Sequence, residues 1–173
     1  MMAVLLDFPE LRQTYNFDCG ACALASVLAY YGIDVREDTV MQIARTAKSG
    51  TNVAGIVKTL RYYGLTPDRC ASVEGIKKAI DQQYPVILAL QAYKTSSKAY
   101  RRIWGDGHYV VAIGYDAERV YFEDPSSYKR TWLSFEELED RWHDVDSCRR
   151  LHRWGCVARG TPKYKSDDST HMD

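Results

Sequence analysis

The chain reads as an α+β fold, a helical layer packed against an antiparallel sheet. Apolar residues recur at helical spacing through the first half, and the second half changes to short β-branched and aromatic runs separated by turns. The length of 173 residues, with 46% hydrophobic and 27% charged, suits a single core with no internal repeat and no dividing linker. Residues 1–160 are therefore expected to form one domain, and residues 161–173 a polar, disordered tail.

Asp18 can N-cap a first helix running to about Tyr31, with Gly32 as its stop. Asp38 can cap a second, "TVMQIARTA". Asn52 can cap a third, whose Val53, Ile56, Val57 and Leu60 make one apolar stripe ending before Gly64. Ser72 opens a fourth, with Ile76, Ala79 and Ile80 facing inward. Strands follow: "PVILALQAY" from Pro85, "HYVVAIGY" from His108, "RVYFED" from Arg119 and "RTWL" from Arg130. Ser134 and Glu137 spell a capping box before the short helix "FEELEDRW", and "RLHRWGCVARG" from Arg150 makes a last strand.

Lys plus Arg and Asp plus Glu number 23 each, which gives no electrostatic reason to expect nucleic acid or an anionic membrane as partner. No apolar run approaches the roughly eighteen residues of a membrane helix, so no membrane insertion is expected. "MMAVLLDFPE" lacks the basic start of a signal peptide, and five cysteines are an odd number without a small-scaffold framework. A reducing, cytoplasmic setting is the expectation.

Cys19 stands where a polar, turn-like stretch becomes a buried helix. Cysteine is often mere core, but at a helix start the unpaired N–H groups and the helix dipole favour a thiolate. Gly20 and Ala21 after it are read as open space for a substrate backbone. Of the four histidines, His108 follows the flexible "GDG" and opens an apolar strand, which aims its ring from a rigid base. Asp124 ends the next strand, before Pro125. A hairpin turn centred on Asp116 makes the two direct partners on one face, and a turn one residue later makes them diagonal neighbours. Asp124 could then fix the imidazole tautomer. Gln13, six residues before Cys19, can bring its amide beside the thiol and, with the Cys19 N–H, form an oxyanion hole.

The pattern Q-x₅-C-G, a Gly-His strand start and a later Asp-Pro resembles the bacteriocin-processing peptidases. These are papain-like cysteine peptidases (peptidase family 39) that cut leader peptides after a double glycine. The likeness runs from about Leu11 to about Arg159 and takes in "DCGACALASVLAYYG", "GHYVVAIGY" and "VYFEDPSS". It implies a papain-like fold and peptide-bond hydrolysis through an acyl-enzyme, without cofactor or metal. In that scheme Cys19 is the nucleophile, His108 the general base and acid, Asp124 the orienting group and Gln13 the oxyanion donor. Gly20, Gly107 and Trp104 are expected along the substrate groove. A peptide or leader peptide is the expected substrate, and a separate export transporter a candidate partner. Many members are the front of an ATP-driven exporter; this chain has neither membrane helices nor a nucleotide-binding motif, and a free-standing form is expected.

Two other readings use the same residues: a catalytically silent peptide-binding module, and an acyl transferase in which an amine replaces water. Cys19 and Cys22 also spell C-x-x-C, but no strand of a βαβ unit leads into it. Cys148, His152 and Cys156 have zinc-like spacing on alternating strand faces without a fourth partner. His143 reads as a cation at a helix end. The loop from Lys94 to Gly107 is either a solvated surface loop or a flap. As a flap, its Lys94, Lys98, Arg101 and Arg102 attract an acidic peptide and its Trp104 covers Cys19 and His108.

Overall fold

The computed structural model describes residues 3–169, 171 and 172. In chain order the elements are β1 (Val4–Leu5), α1 (Cys19–Tyr30), α2 (Glu37–Ala44), α3 (Val53–Tyr62), β2 (Thr66–Cys70), α4 (Val73–Asp81) and β3 (Val86–Gln91). After a 3₁₀ turn at Tyr100–Arg102 come β4 (Gly107–Tyr115), β5 (Arg119–Glu123), β6 (Thr131–Ser134), α5 (Phe135–Arg141), β7 (His143–Asp146), β8 (Arg149–His152) and β9 (Gly155–Arg159). One antiparallel sheet runs β2-β9-β3-β4-β5-β6, with β1 also on β4; β7 and β8 form a separate hairpin. The architecture is α+β.

The layers follow from side-chain chemistry. α1 carries small and apolar residues all round, and every residue from Gly20 to Leu28 is buried between β4 and the pair α2–α3. α4 is one-sided, with Val73, Ile76, Ala79 and Ile80 buried as its spacing predicts. Asn52 and Ser72 accept from the Gly55 and Gly75 amides at 2.7 and 3.0 Å, and Ser134 and Glu137 form both arms of the capping box.

Several expectations are corrected. α2 starts after Arg36 rather than at Asp38, which lies in its first turn, and it ends at left-handed Arg45 (φ 56°). Asp18 does occupy the N-cap position of α1, but its carboxylate turns back to the Thr14 and Tyr15 amides at 3.1 and 2.9 Å and caps nothing in its own helix. β2, with Pro67 and Asp68, has poor strand chemistry and exists because it pairs along β9 at the sheet edge, where proline is tolerated. The expected last strand is broken at left-handed Arg153 (φ 48°) into β8 and β9. His143 does not end a helix: it opens β7, buried, with Nε2 2.8 Å from the Ile103 carbonyl.

The tail expected to be disordered begins with ordered contacts. Lys163 and Tyr164 amides donate to the Tyr30 carbonyl, and Ser166 binds Asp7. Thr170 and Asp173 of that tail lie outside the described residues.

Candidate active site

Cys19 is the first residue of α1, half-buried, at the end of the helix that meets β4. Because the Asp18 carboxylate is spent on the preceding loop, no side chain caps the first N–H groups of α1. His108 is the second residue of β4, held in the sheet opposite Leu90 of β3. Its Nε2 lies 2.8 Å from Asp124 Oδ1, and the Cys19 thiol is near enough to act on the ring as well. Burial is the largest single influence on His108 and lowers its pKa. The bonds to Asp124 and Cys19 and their charges outweigh it, so the imidazole is pushed up to about 9.

A bulge makes this meeting possible. The hairpin turns through Asp116 to Arg119, whose carbonyl accepts the Asp116 amide, and near the turn Tyr115 faces Val120. Carried unchanged, that register would put His108 and Asp124 on opposite faces. Between Ala112 and Gly114 it shifts by one residue, so Val111 faces Glu123 and Asp124 falls across from Val110. His108 and Asp124 are thus diagonal neighbours on one face, and the turn centred on Asp116 is not the one adopted. Gly114 permits the bend, since a Cβ there would strike the Val4 carbonyl and the Leu5 side chain of β1.

Asp124 is buried and fully engaged. Besides His108 it accepts from the Ser126 amide at 2.9 Å, the Tyr93 hydroxyl at 2.6 Å and Thr131 Oγ1 at 3.3 Å. Burial pushes its pKa up, but His108, Tyr93 and the Ser126 amide together bring it below the usual carboxylate range. The Tyr93 ring also stands edge-on to His108, centroids 5.7 Å apart. Nothing in the pattern of "QAYK" points to Tyr93, because its role depends on where the loop after β3 folds back.

Gln13 is stitched to the same turn. Its amide nitrogen in the backbone donates to the Pro125 carbonyl at 3.0 Å, Oε1 accepts from Ser126 Oγ at 2.7 Å, and Nε2 donates to the Tyr15 carbonyl at 2.5 Å.

A sequence profile, that of the peptidase C39 family, matches residues 7–146. The chain belongs to the peptidase C39 family. It is 26% identical over 138 residues to the pediocin PA-1 transport/processing ATP-binding protein PedD of Pediococcus acidilactici, a stretch covering 77% of this chain. The chain spans only 17% of that relative's length. The solved peptidase domain of Streptococcus ComA superposes with a TM-score of 0.67 at 24% identity, covering 87% of this chain and 97% of that one. A double glycine motif protease from an AMS/PCAT transporter, solved with its leader peptide, gives 0.64 at 21% identity, covering 91% and 94%. These two likenesses establish the papain-like peptidase fold.

In this C39 peptidase a cavity of about 370 Å³ opens beside Cys19. Trp104 and Gly107 line it, together with Thr51, Tyr109, Asp144 and Asp146. Gly20 is corrected: it offers no open space, because its α-carbon is packed against Thr51 and Tyr109, where a Cβ would lie 2.8 Å from Thr51 Cβ. The Trp104 ring is tilted against His143 and edge-on to His152, centroids 4.4 and 5.2 Å away, with the Arg150 guanidinium 4.7 Å from its centroid. The flap cations also face elsewhere. Lys94 binds the Lys98 carbonyl, Arg101 lies 3.7 Å from Asp140, and none of Lys94, Lys98, Arg101 or Arg102 lines the cavity.

Proposed function

We propose that the chain is a cysteine peptidase whose Cys19, His108 and Asp124 act as a triad and that it processes peptides of the leader type. The observation that carries this is the imidazole of His108 bonded to the buried Asp124 carboxylate and near enough to Cys19 for the thiol to raise its pKa. His108 takes the Cys19 proton, and the thiolate attacks the scissile carbonyl carbon. The oxyanion accepts from the uncapped Cys19 N–H and from Gln13 Nε2, whose second proton is not used by Tyr15. The intermediate collapses as the C–N bond breaks and His108 protonates the leaving amine. Water, deprotonated by His108, then cleaves the thioester and restores the thiol. All five cysteines are free thiols, which favours the reducing cytoplasm as the place of work, and a separate export transporter is the candidate partner there.

Selective alkylation tests the reading. Burial pushes the thiols of Cys22, Cys70 and Cys156 up, so only Cys148, which is exposed, competes for iodoacetamide. Cys19 should alkylate at least about tenfold faster than Cys148, and double-glycine leader peptides should yield two fragments by mass spectrometry. Equal alkylation of the two with intact peptides would leave a binding module; capture of the acyl group by an added amine in place of water would make the chain a transferase.

Tyr93 acts as a positioning residue in this scheme. Its hydroxyl draws charge from Asp124, so Tyr93→Phe leaves a stronger acceptor for His108 and a more tightly held imidazolium proton. The alkaline limb of the rate profile should move upward, while kcat falls about tenfold with KM held. A packing role alone would leave that limb where it is.

A further inference from the structure

Asp18 is 0% exposed, yet its carboxylate is only half used. Oδ2 accepts from the Thr14 and Tyr15 amides at 3.1 and 2.9 Å, while Oδ1 is buried and, among the described residues, has no hydrogen-bond partner. Glu37, the first residue of α2, repeats the pattern. Its Oε2 accepts from Thr14 Oγ1 at 2.9 Å, and its Oε1 is likewise buried and unpartnered. Thr14 therefore binds both carboxylates, one through its amide and one through its hydroxyl, and so draws acids of two different elements together.

Neither acid has a cation to balance it. Among the described residues no ion pair includes Asp18 or Glu37. The titratable groups near them are engaged elsewhere or uncharged. Arg12 is paired with Glu123, Arg36 and Asp38 bind one another in solvent, and Tyr15 is exposed. On α1, Cys19 follows Asp18, and the Cys22 thiol one turn along is pushed up by burial and then by Glu37 and Asp18, which keeps it neutral. A carboxylate only accepts, whereas a protonated carboxyl also donates, so one hydrogen placed between Oδ1 and Oε1 satisfies both orphaned oxygens. Burial is the largest influence on Glu37 and raises its pKa; the Thr14 bond opposes the rise and the Asp18 charge adds to it.

We propose that Asp18 and Glu37 share one proton between Oδ1 and Oε1, and that Glu37 is thereby a positioning residue for the turn between Gln13 and Cys19. Asp18 keeps the charge, because two amides donate to it and it stands at the positive end of α1; Glu37 carries the hydrogen. The path to the reaction is short. Gln13 Nε2 donates to the Tyr15 carbonyl, the Tyr15 amide donates to Asp18, and Cys19 comes next. Once the proton leaves, two buried carboxylates repel, and Glu37, the less buried of them, turns out to solvent and releases the Thr14 hydroxyl. The role in turnover rests on the peptidase reading; the shared proton does not.

Amide NMR of the full chain, from about pH 4 to about pH 8, follows the proton. The Thr14 and Tyr15 amides should shift in one step lying above the ordinary glutamate value of 4.5. Glu37→Gln sets a permanent donor against Asp18 and keeps an acceptor for Thr14, so it should abolish the step. Asp18→Asn offers Glu37 a donor instead, and should move the step below that value. Stability has the matching sign. A carboxyl raised in the folded state supports the fold while protonated and loses that support as pH rises, so the parent's urea midpoint should fall relative to Glu37→Gln across the step. In peptide cleavage, Glu37→Leu should lower kcat about tenfold with KM held, and Glu37→Gln should restore it. The ratio of Glu37→Gln kcat to parental kcat should rise about threefold as pH passes upward through the step. No step in the parent, or the same step in Glu37→Gln, overturns the shared proton. A step abolished by Glu37→Gln, with parental kcat in Glu37→Leu, overturns the positioning role. The same NMR result in a chain whose Cys19 alkylates slowly and cleaves nothing overturns the peptidase and leaves the proton pair standing.

Discussion

Cys19→Ala should take peptide cleavage to background, a loss of about 10⁵-fold or more, since removing a nucleophile costs about as much as removing its whole catalytic group. The urea midpoint should change little, because the side chain is small and half-buried at a helix start. The same variant carries a second, separable readout. Two of the influences that raise His108 to about 9 come from Cys19, its hydrogen bond and its charge. Without them the imidazole titrates lower, which NMR of the ring protons would show. In the intact chain the alkaline limb of the rate profile should fall near pH 9, where His108 gives up its proton. Stability follows the same group. Folded His108 holds its proton more tightly than an unfolded histidine near 6.5, so its contribution is complete below about pH 6.5 and lost as pH rises through about 9. Cys19→Ala should narrow that window. An unchanged His108 titration in the variant would mean that thiol and imidazole do not communicate, and the proposed mechanism would fail.

The groups proposed to react were legible because each sits where a local signal is strong. Cys19 lies at a polar-to-apolar boundary that starts a helix, and His108 follows glycines at the head of an apolar strand. What sequence patterns could not show is how the strands register. Both hairpin turns considered for Tyr115 to Arg119 assumed an unbroken ladder. The bulge that puts His108 and Asp124 on one face depends on β1, a two-residue strand, pressing on Gly114. An isolated glycine inside "HYVVAIGY" was the available sign of it. Gly20 misled for a related reason: a glycine after a nucleophile looks like room for substrate, yet here it lets α1 close onto Thr51 and Tyr109. β7 and Tyr93 were invisible because "RWHDVD" has no strand periodicity, and its pairing comes from β8 and from contacts to Ile103 and Trp104.

Arg12 and Glu123 lie far apart in sequence and form an ion pair that locks the loop carrying Gln13 to the end of β5, one residue before Asp124. Glu123 is 1% exposed, and its second oxygen has no partner. Arg12→Met therefore strands a buried carboxylate, which should cost about 3–5 kcal/mol, or roughly 2 M in the urea midpoint at an m-value of about 2 kcal/mol/M. The loss has a pH signature. Burial already raises Glu123, and Arg12 opposes that rise. Without Arg12 the folded-state pKa climbs further above the unfolded value near 4.3. A carboxyl raised in the folded state supports stability when protonated and loses that support as pH rises through its folded pKa. The variant should thus be least stable, relative to the parent, at pH 7 to 8 and recover towards pH 5. Pairing it with Glu123→Leu should restore most of the stability, because an apolar pair of similar volume needs no desolvation to be repaid. Activity should separate from stability in that double variant. The loop then rests on apolar contact alone, so Gln13 loses its fixed seat beside Ser126, and kcat falls although the fold is intact. A double variant with parental kcat would show that Gln13 is held by Pro125 and Ser126 unaided, and that the ion pair serves the fold only.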